Sequence, residues 1–271
     1  MTGQRENPLA IIPWRPQRNS IHCMDALTFL ACLPDASVDC VVTDPPYGLY
    51  GNIFVKRPDT GDKYNRVNEL WDTEILVDWM ADCQRVLKPG GSVICFGGRQ
   101  SIYKLASEGL RLRWRLVNDI TWHKLDAAPC FTGRNMTEAT ERALWFCPDG
   151  TGWTYNRLAA KSLNNGNNFR DVWEGYTTRG NRYHPTQKPD WIMERLIALL
   201  SNPGDLILDP FIGSGTTAVA AQKLGRSFLG CDISQDYVEL AQRRVKNADP
   251  YQASEVAPGI AQLSLFSAEV A

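Results

Sequence analysis

The chain has 271 residues, 44% of them hydrophobic and 22% charged, with a formal net charge of −1. That composition fits a soluble α/β domain carrying an insertion, and it excludes a uniformly basic surface, so any nucleic-acid contact has to be local. No apolar run approaches the roughly 20 residues of a membrane helix, and the first residues lack the basic-then-apolar layout of a signal peptide, so a cytoplasmic protein without membrane contact is expected.

In chain order, apolar strand patterns fall at 38–43, 92–96, 116–122, 143–147, 205–208 and 227–231. Amphipathic helix patterns fall at 75–87, 101–109, 190–200, 215–224 and 235–246. Near-continuous apolar strands alternating with such helices predict a doubly wound, mostly parallel sheet covered on both faces. Between 86 and 93, VLKPGGSV reads as the end of a helix, a Pro-Gly-Gly breaker and a new strand. From 126 to 182 the composition turns polar and aromatic and reads as a loop-rich insertion within a domain spanning 1–249. Residues 250–271 read as a flexible tail. The eight cysteines form no C-x-x-C pair, so neither a disulfide framework nor a metal site is expected.

Two stretches carry the chemistry. In DLILDPFIGSGTTAVAAQKLGRSFLGCDIS, a strand enters Phe211-x-Gly213-x-Gly215, a helix follows, and a second strand ends on Asp232. Glycines let backbone approach a ligand, the helix start offers free N–H groups, and an acid 19 residues after Gly213 suits a ribose hydroxyl pair. No Lys follows the glycines, which excludes a nucleoside-triphosphate loop.

The other stretch is DCVVTDPPYGLYG, where an apolar strand stops on Asp44. An ionised carboxylate is acceptor-only, Pro45 and Pro46 lack N–H groups but keep carbonyls on a rigid backbone, and Tyr47 adds a flat ring. Two acceptors and a stacking surface fit an exocyclic amino group on a planar heterocycle.

With MDALTFLACLPDASVDCVVTDPPYG, VLKPGGSVICFGG, ITWHKLDAAPCFTGRNMTEATERALWFC, HPTQKP and LDPFIGSGTT standing in this order, the chain resembles the DNA amino-methyltransferases. These methylate adenine N6 or cytosine N4 using S-adenosylmethionine. The resemblance is to the beta group, whose motif order is circularly permuted so that D-P-P-Y precedes the glycine loop and the target-recognition region lies between. It implies the fold of the S-adenosylmethionine-dependent methyltransferases, double-stranded DNA as substrate and base flipping. It also implies Asp44, Pro45, Pro46 and Tyr47 as the catalytic block, and Asp209, Phe211, Gly213, Gly215 and Asp232 around the cofactor. Asp25 is matched to an acid near the cofactor's adenine, although Met24 stands where the family has glycine. Thr186 and Lys188 are matched to a segment closing over the cofactor. Cytosine-N4 enzymes usually carry serine at the Asp44 position, so adenine N6 is expected, with cytosine N4 as the alternative. An RNA amino-methyltransferase and a catalytically inactive DNA-binding protein are further alternatives. The Pro129-Cys130 pair lies in a recurring family pattern, which argues against a cysteine nucleophile.

For DNA contact, RLRWR at strand spacing would align Arg111, Arg113 and Arg115 on one face against phosphates. In the insertion, Asn167, Arg170 and Arg179 are candidates for base edges, and Trp153 or Phe169 for stacking. The tail's Gln262, Leu263, Leu265 and Phe266 resemble the short peptide by which bacterial proteins dock on the sliding clamp. Family members are often homodimers and belong to restriction-modification systems.

Overall fold

In the computed structural model, the described residues are 15–48, 75–130, 134–178 and 187–248. The elements run β1 (Ser20–Cys23), α1 (Ala26–Ala31), β2 (Val38–Thr43), α2 (Trp79–Val86), β3 (Leu87–Gly97), α3 (Ser101–Arg111), β4 (Arg115–Lys124) and β5 (Thr140–Cys147). They continue with α4 (Arg157–Leu163), β6 (Val172–Gly175), α5 (Asp190–Leu200), β7 (Leu206–Asp209), α6 (Thr216–Lys223), β8 (Ser227–Asp232) and α7 (Gln235–Lys246).

The eight strands form one sheet in the order β1-β8-β7-β2-β3-β5-β4-β6. Only β5 runs against its neighbours, so the sheet is doubly wound and mostly parallel, as expected. Helices cover both faces: Phe29, Met80 and Ile102 from α1, α2 and α3 bury in one apolar cluster, and Leu196, Ala220 and Val238 from α5, α6 and α7 in the other. A strand sandwiched this way meets no water on either side, which is why β2 is buried almost end to end.

Local sequence explains the ends of several elements. The Asp25 carboxylate caps α1 by accepting from Thr28 N at 3.0 Å. Ser234 Oγ caps α7 by accepting from Tyr237 N, and that helix closes on Arg243, Arg244 and Lys246, cations beside its negative end.

Two expectations need correction. Pro-Gly-Gly does not break the chain into a turn; β3 begins at Leu87 and runs through it, with a register irregularity opposite Val38 and Cys40. Gly90 takes a left-handed φ of +79° there, and a Cβ on it would meet Gly152 O at 2.7 Å. Within 126–182 the strand expected at 143–147 is present as β5, with Ala143, Leu144, Trp145, Phe146 and Cys147 buried, but β6 adds a sheet strand that was not expected there. Trp153 and Phe169, expected at the DNA, pack instead against the core cluster beneath α5.

Candidate active site

The carboxyl ends of the parallel strands define one edge of the sheet, and the candidate residues gather there. β2 delivers Thr43 and Asp44, β7 ends on Asp209, and β8 ends on Asp232. A cleft of about 250 Å³ opens between them. Its lining includes Asp25, Asp44, Pro46, Lys188, Asp209, Phe211, Gly213 and Asp232 from the predicted set, with Leu76, Trp79, Ile233 and Tyr237 adding apolar wall.

Each carboxylate on this edge is held in place. Asp209, nearly inaccessible to water, accepts from Thr43 Oγ1 at 2.7 Å and from Phe211 N at 3.0 Å, and burial pushes its pKa up to about 6. Asp232, in the cleft lining, accepts from Gly213 N at 3.1 Å and Ser234 N at 2.8 Å, one on each oxygen, and each oxygen keeps a further acceptor position. Burial raises its pKa too. Asp25 goes the other way: burial pushes it up, but the hydrogen bonds from Thr28 and its neighbours carry it below the usual carboxylate range.

The two glycines of the loop differ. Gly213 has φ +48°, lines the cleft, and a Cβ on it would meet nothing within 4 Å. Gly215 has φ +83° and faces the protein interior, where a Cβ would lie 2.7 Å from the Ala241 methyl of α7. Gly215 is therefore a close-packing position and not part of the cleft wall.

Beside the cleft lies a buried charge network. Lys188 Nζ, only 5% exposed, donates to Asp44 Oδ2 at 2.5 Å and sits 2.7 Å from Glu141 Oε1. Lys124 Nζ pairs with the other Glu141 oxygen at 2.8 Å. The Tyr47 hydroxyl is within hydrogen-bond distance of both carboxylates, 2.6 Å from Asp44 Oδ1 and 2.9 Å from Glu141 Oε1. The Tyr47 ring lies close to Gly98, where a Cβ would come within 2.9 Å of it, and Lys188 Nζ is 5.1 Å from its centroid. Burial raises the pKa of Asp44, against the opposing pull of Lys188. Glu141, flanked by two ammonium groups, is held down at about 2 in spite of its burial.

Sequence reasoning missed Glu141, Lys124 and Trp79. Glu141 sits where the alternation of β5 begins, in step with Ala143 and Trp145; an acid leading an apolar strand was the available signal. Lys188, matched to the cofactor segment, points to Asp44 and Glu141 as well as lining the cleft. Pro45 and Tyr47 stand beside the cleft and not in its wall.

The arginines expected at DNA are not brought to this site. α3 ends at Arg111, Arg113 takes a left-handed turn with φ +60°, Trp114 is buried, and Arg115 opens β4. They share no strand face, and the length of β4 separates Arg115 from Lys124 by roughly 30 Å. Arg111 is also engaged by both Glu108 oxygens, at 2.6 and 2.8 Å. Asn167 and Arg170 are exposed before β6. Thr186, Arg179 and the 262–266 peptide lie outside the described residues. Among the described residues no helix is long and apolar enough to cross a membrane.

A doubly wound sheet with a glycine loop, acids on successive strand ends and an Asp-Pro-Pro-Tyr acceptor block defines the class: an amino-directed methyltransferase. Residues 38–243 match the family model described as DNA methylase. This chain belongs to that family. It is 35% identical over 235 residues to the type II methyltransferase M2.DpnII of Streptococcus pneumoniae, covering 82% of this chain and 87% of the relative. It is 31% identical to the type II methyltransferase M.HinfI of Haemophilus influenzae, covering 86% and 69%. Among solved structures, M1.HpyAVI in complex with SAM superposes with a TM-score of 0.63 at 25% identity, over 83% of this chain and 98% of that one. The cytosine-N4-specific PvuII DNA methyltransferase shares the fold, with a TM-score of 0.64 at 18% identity over 92% and 94%.

Proposed function

We propose that this enzyme methylates adenine N6 in double-stranded DNA, with S-adenosylmethionine as methyl donor and a base flipped out of the duplex. The observation that carries the reading is Asp44: a carboxylate at the end of β2, in the wall of the cleft, where serine would favour cytosine N4.

The cleft suits the donor. That molecule combines an ammonium, a ribose diol and a flat purine, and the cleft offers the carboxylates of Asp209 and Asp232 beside the Trp79 and Phe211 rings. When bound, the donor supplies an electrophilic methyl group on a sulfonium. Asp209 is assigned to its ammonium, Asp232 to its ribose, and Phe211 and Gly213 to its methionine arm. Asp25 is assigned to the adenine side. The assignment does not extend to Gly215.

At the base, Asp44 and the Pro45 carbonyl accept the two amino hydrogens, which turns the nitrogen lone pair toward the cleft. Pro46 fixes the backbone, and the Tyr47 ring, tethered through its hydroxyl, is a surface for the base to lie against. Catalysis is then positioning and electrostatics. With the methyl passing from sulfur to nitrogen, the S–C bond would break as the N–C bond forms and the positive charge would move from sulfur to nitrogen, one of whose protons then leaves through Asp44 to water.

Asn167, Arg170 and Arg179 remain our candidates within this chain for DNA contact. The 262–266 peptide is proposed as a sliding-clamp ligand on its Gln-Leu-Ser-Leu-Phe sequence, and truncation after Gly259 should abolish clamp capture. Homodimer formation, carried by the family resemblance, is read out by sedimentation.

The catalytic assignment is tested with Asp44→Ala in single-turnover transfer of labelled methyl to duplex DNA. Loss of transfer with donor binding intact is expected; retained transfer overturns the assigned role.

A further inference from the structure

Asp44 has two partners before any base arrives, one three residues along the chain and one 144 residues away. Lys188 leads into α5 and Tyr47 follows β2, while Glu141 from β5 touches both. Lys124, from the neighbouring β4, completes the set through Glu141. Two carboxylates and two ammonium groups make the cluster electrically neutral. Buried ion pairs add little net stability, because the cost of desolvation offsets their attraction. The structural pairing of Lys188 therefore calls for another account.

The geometry gives one. A carboxylate has about four acceptor positions. Tyr47 takes one on Oδ1 and Lys188 one on Oδ2, which fixes the rotation of the group and leaves acceptor positions for a target amino group. The Asp44 side chain is 21% exposed and that of Lys188 only 5%, so the pairing with the buried cation still leaves part of the carboxylate accessible. A protonated Asp44 would offer an O–H where the amino group offers N–H, and the two donors would oppose each other.

We propose that Lys188, clamped between Asp44 and Glu141, is a positioning residue that keeps Asp44 ionised and oriented as an acceptor for the amino group. Glu141, held by Lys124, sets where Lys188 sits. This inference rests on the assignment of Asp44 to the target amino group. The charged or titratable groups around Lys188 are Asp44 and Tyr47 after β2, Glu141 on β5 and Lys124 on β4, with Asp209 at the end of β7 beyond Asp44.

Changes of opposite sign make the test. Lys188→Met removes the cation beside Asp44, so the acid limb of the single-turnover pH profile should move up. Each unit of that movement lowers activity on the limb about tenfold. Glu141→Gln removes an anion but keeps an oxygen for Lys188, so its acid limb should move down. Lys188→Arg keeps the charge, so its acid limb should stay where the parent's lies, whatever its plateau rate. Circular dichroism and thermal melting report whether each variant is folded. A purely structural role would lower activity evenly across pH. Acid limbs that stay in place, or that move the same way in Lys188→Met and Glu141→Gln, overturn the proposal. If Lys188→Met does not fold, the downward shift in Glu141→Gln decides alone. Retained transfer by Asp44→Ala would instead refute the catalytic assignment, so the two failures are distinct.

Discussion

Gly213 and Gly215 sit two residues apart in one loop, and the same substitution should fail in two different ways. Both have left-handed φ angles, so alanine at either place costs about 1–2 kcal/mol of backbone strain. At Gly215 the new methyl also meets the Ala241 methyl at 2.7 Å and its Cα at 2.9 Å, between two packed helices with little room to part. Overpacking of that kind adds about 1–3 kcal/mol. Gly215→Ala should therefore melt roughly 2–12 °C below Gly213→Ala, at about 2–4 °C per kcal/mol for a chain near this size. At Gly213 the methyl meets no protein atom but projects at the cleft, so Gly213→Ala should weaken methyl-donor binding more than its stability loss would suggest. Calorimetric melting and donor titration of both variants separate the effects. Equal melting temperatures, or a Gly215→Ala variant that loses donor affinity without loss of stability, would refute the reasoning.

Three further outcomes follow from individual groups. Because burial raises Asp209 to about 6, donor affinity should fall as pH drops through 6, by up to about tenfold per unit, and Asp209→Asn should flatten that dependence in titrations from pH 5 to 7.5. The sign for the ligand-free fold is opposite: the folded-state pKa exceeds the unfolded value, so ionising Asp209 removes stability as pH rises from 3.8 to about 6. Arg226 is buried and donates to Ser201 O, Ser201 Oγ and Leu224 O, at 2.6–3.1 Å. Arg226→Leu strands those acceptors and should cost roughly 1–3 kcal/mol for each one left unpaired, read by urea unfolding. Finally, Arg111→Ala and Arg113→Ala should leave DNA affinity unchanged in filter binding, since both lie at the far end of β4 from Asp44; a clear loss would show that DNA reaches that end.

What the sequence made legible is the frame and the strand ends. β2, α5 and α7 were readable to the residue, because a run buried on both faces or a strong amphipathic stripe writes its limits locally. Asp44, Asp209 and Asp232 stood out as acids that terminate such runs. β1 and β6, four residues each, were not legible, since a short strand at the sheet edge exists only through its partner. Residues 126–182 read as an insertion because polar and aromatic residues dominate there, but the apolar run at 143–147 stood out within it and is β5, held in the sheet by pairing with β3 and β4 on either side. The Lys188–Asp44 contact joins residues 144 apart, and Glu141 reaches Tyr47 across 94. No local pattern encodes such pairs; only the folded sheet edge brings them together.

The central claim is methyl transfer to adenine N6, and the product itself tests it most directly. Unmodified duplex DNA is incubated with the enzyme and labelled S-adenosylmethionine, digested to nucleosides and resolved by mass. The account predicts label in N6-methyldeoxyadenosine, and none with Asp44→Ala. Label in N4-methyldeoxycytidine, or none in DNA from a folded, donor-binding enzyme, would contradict it.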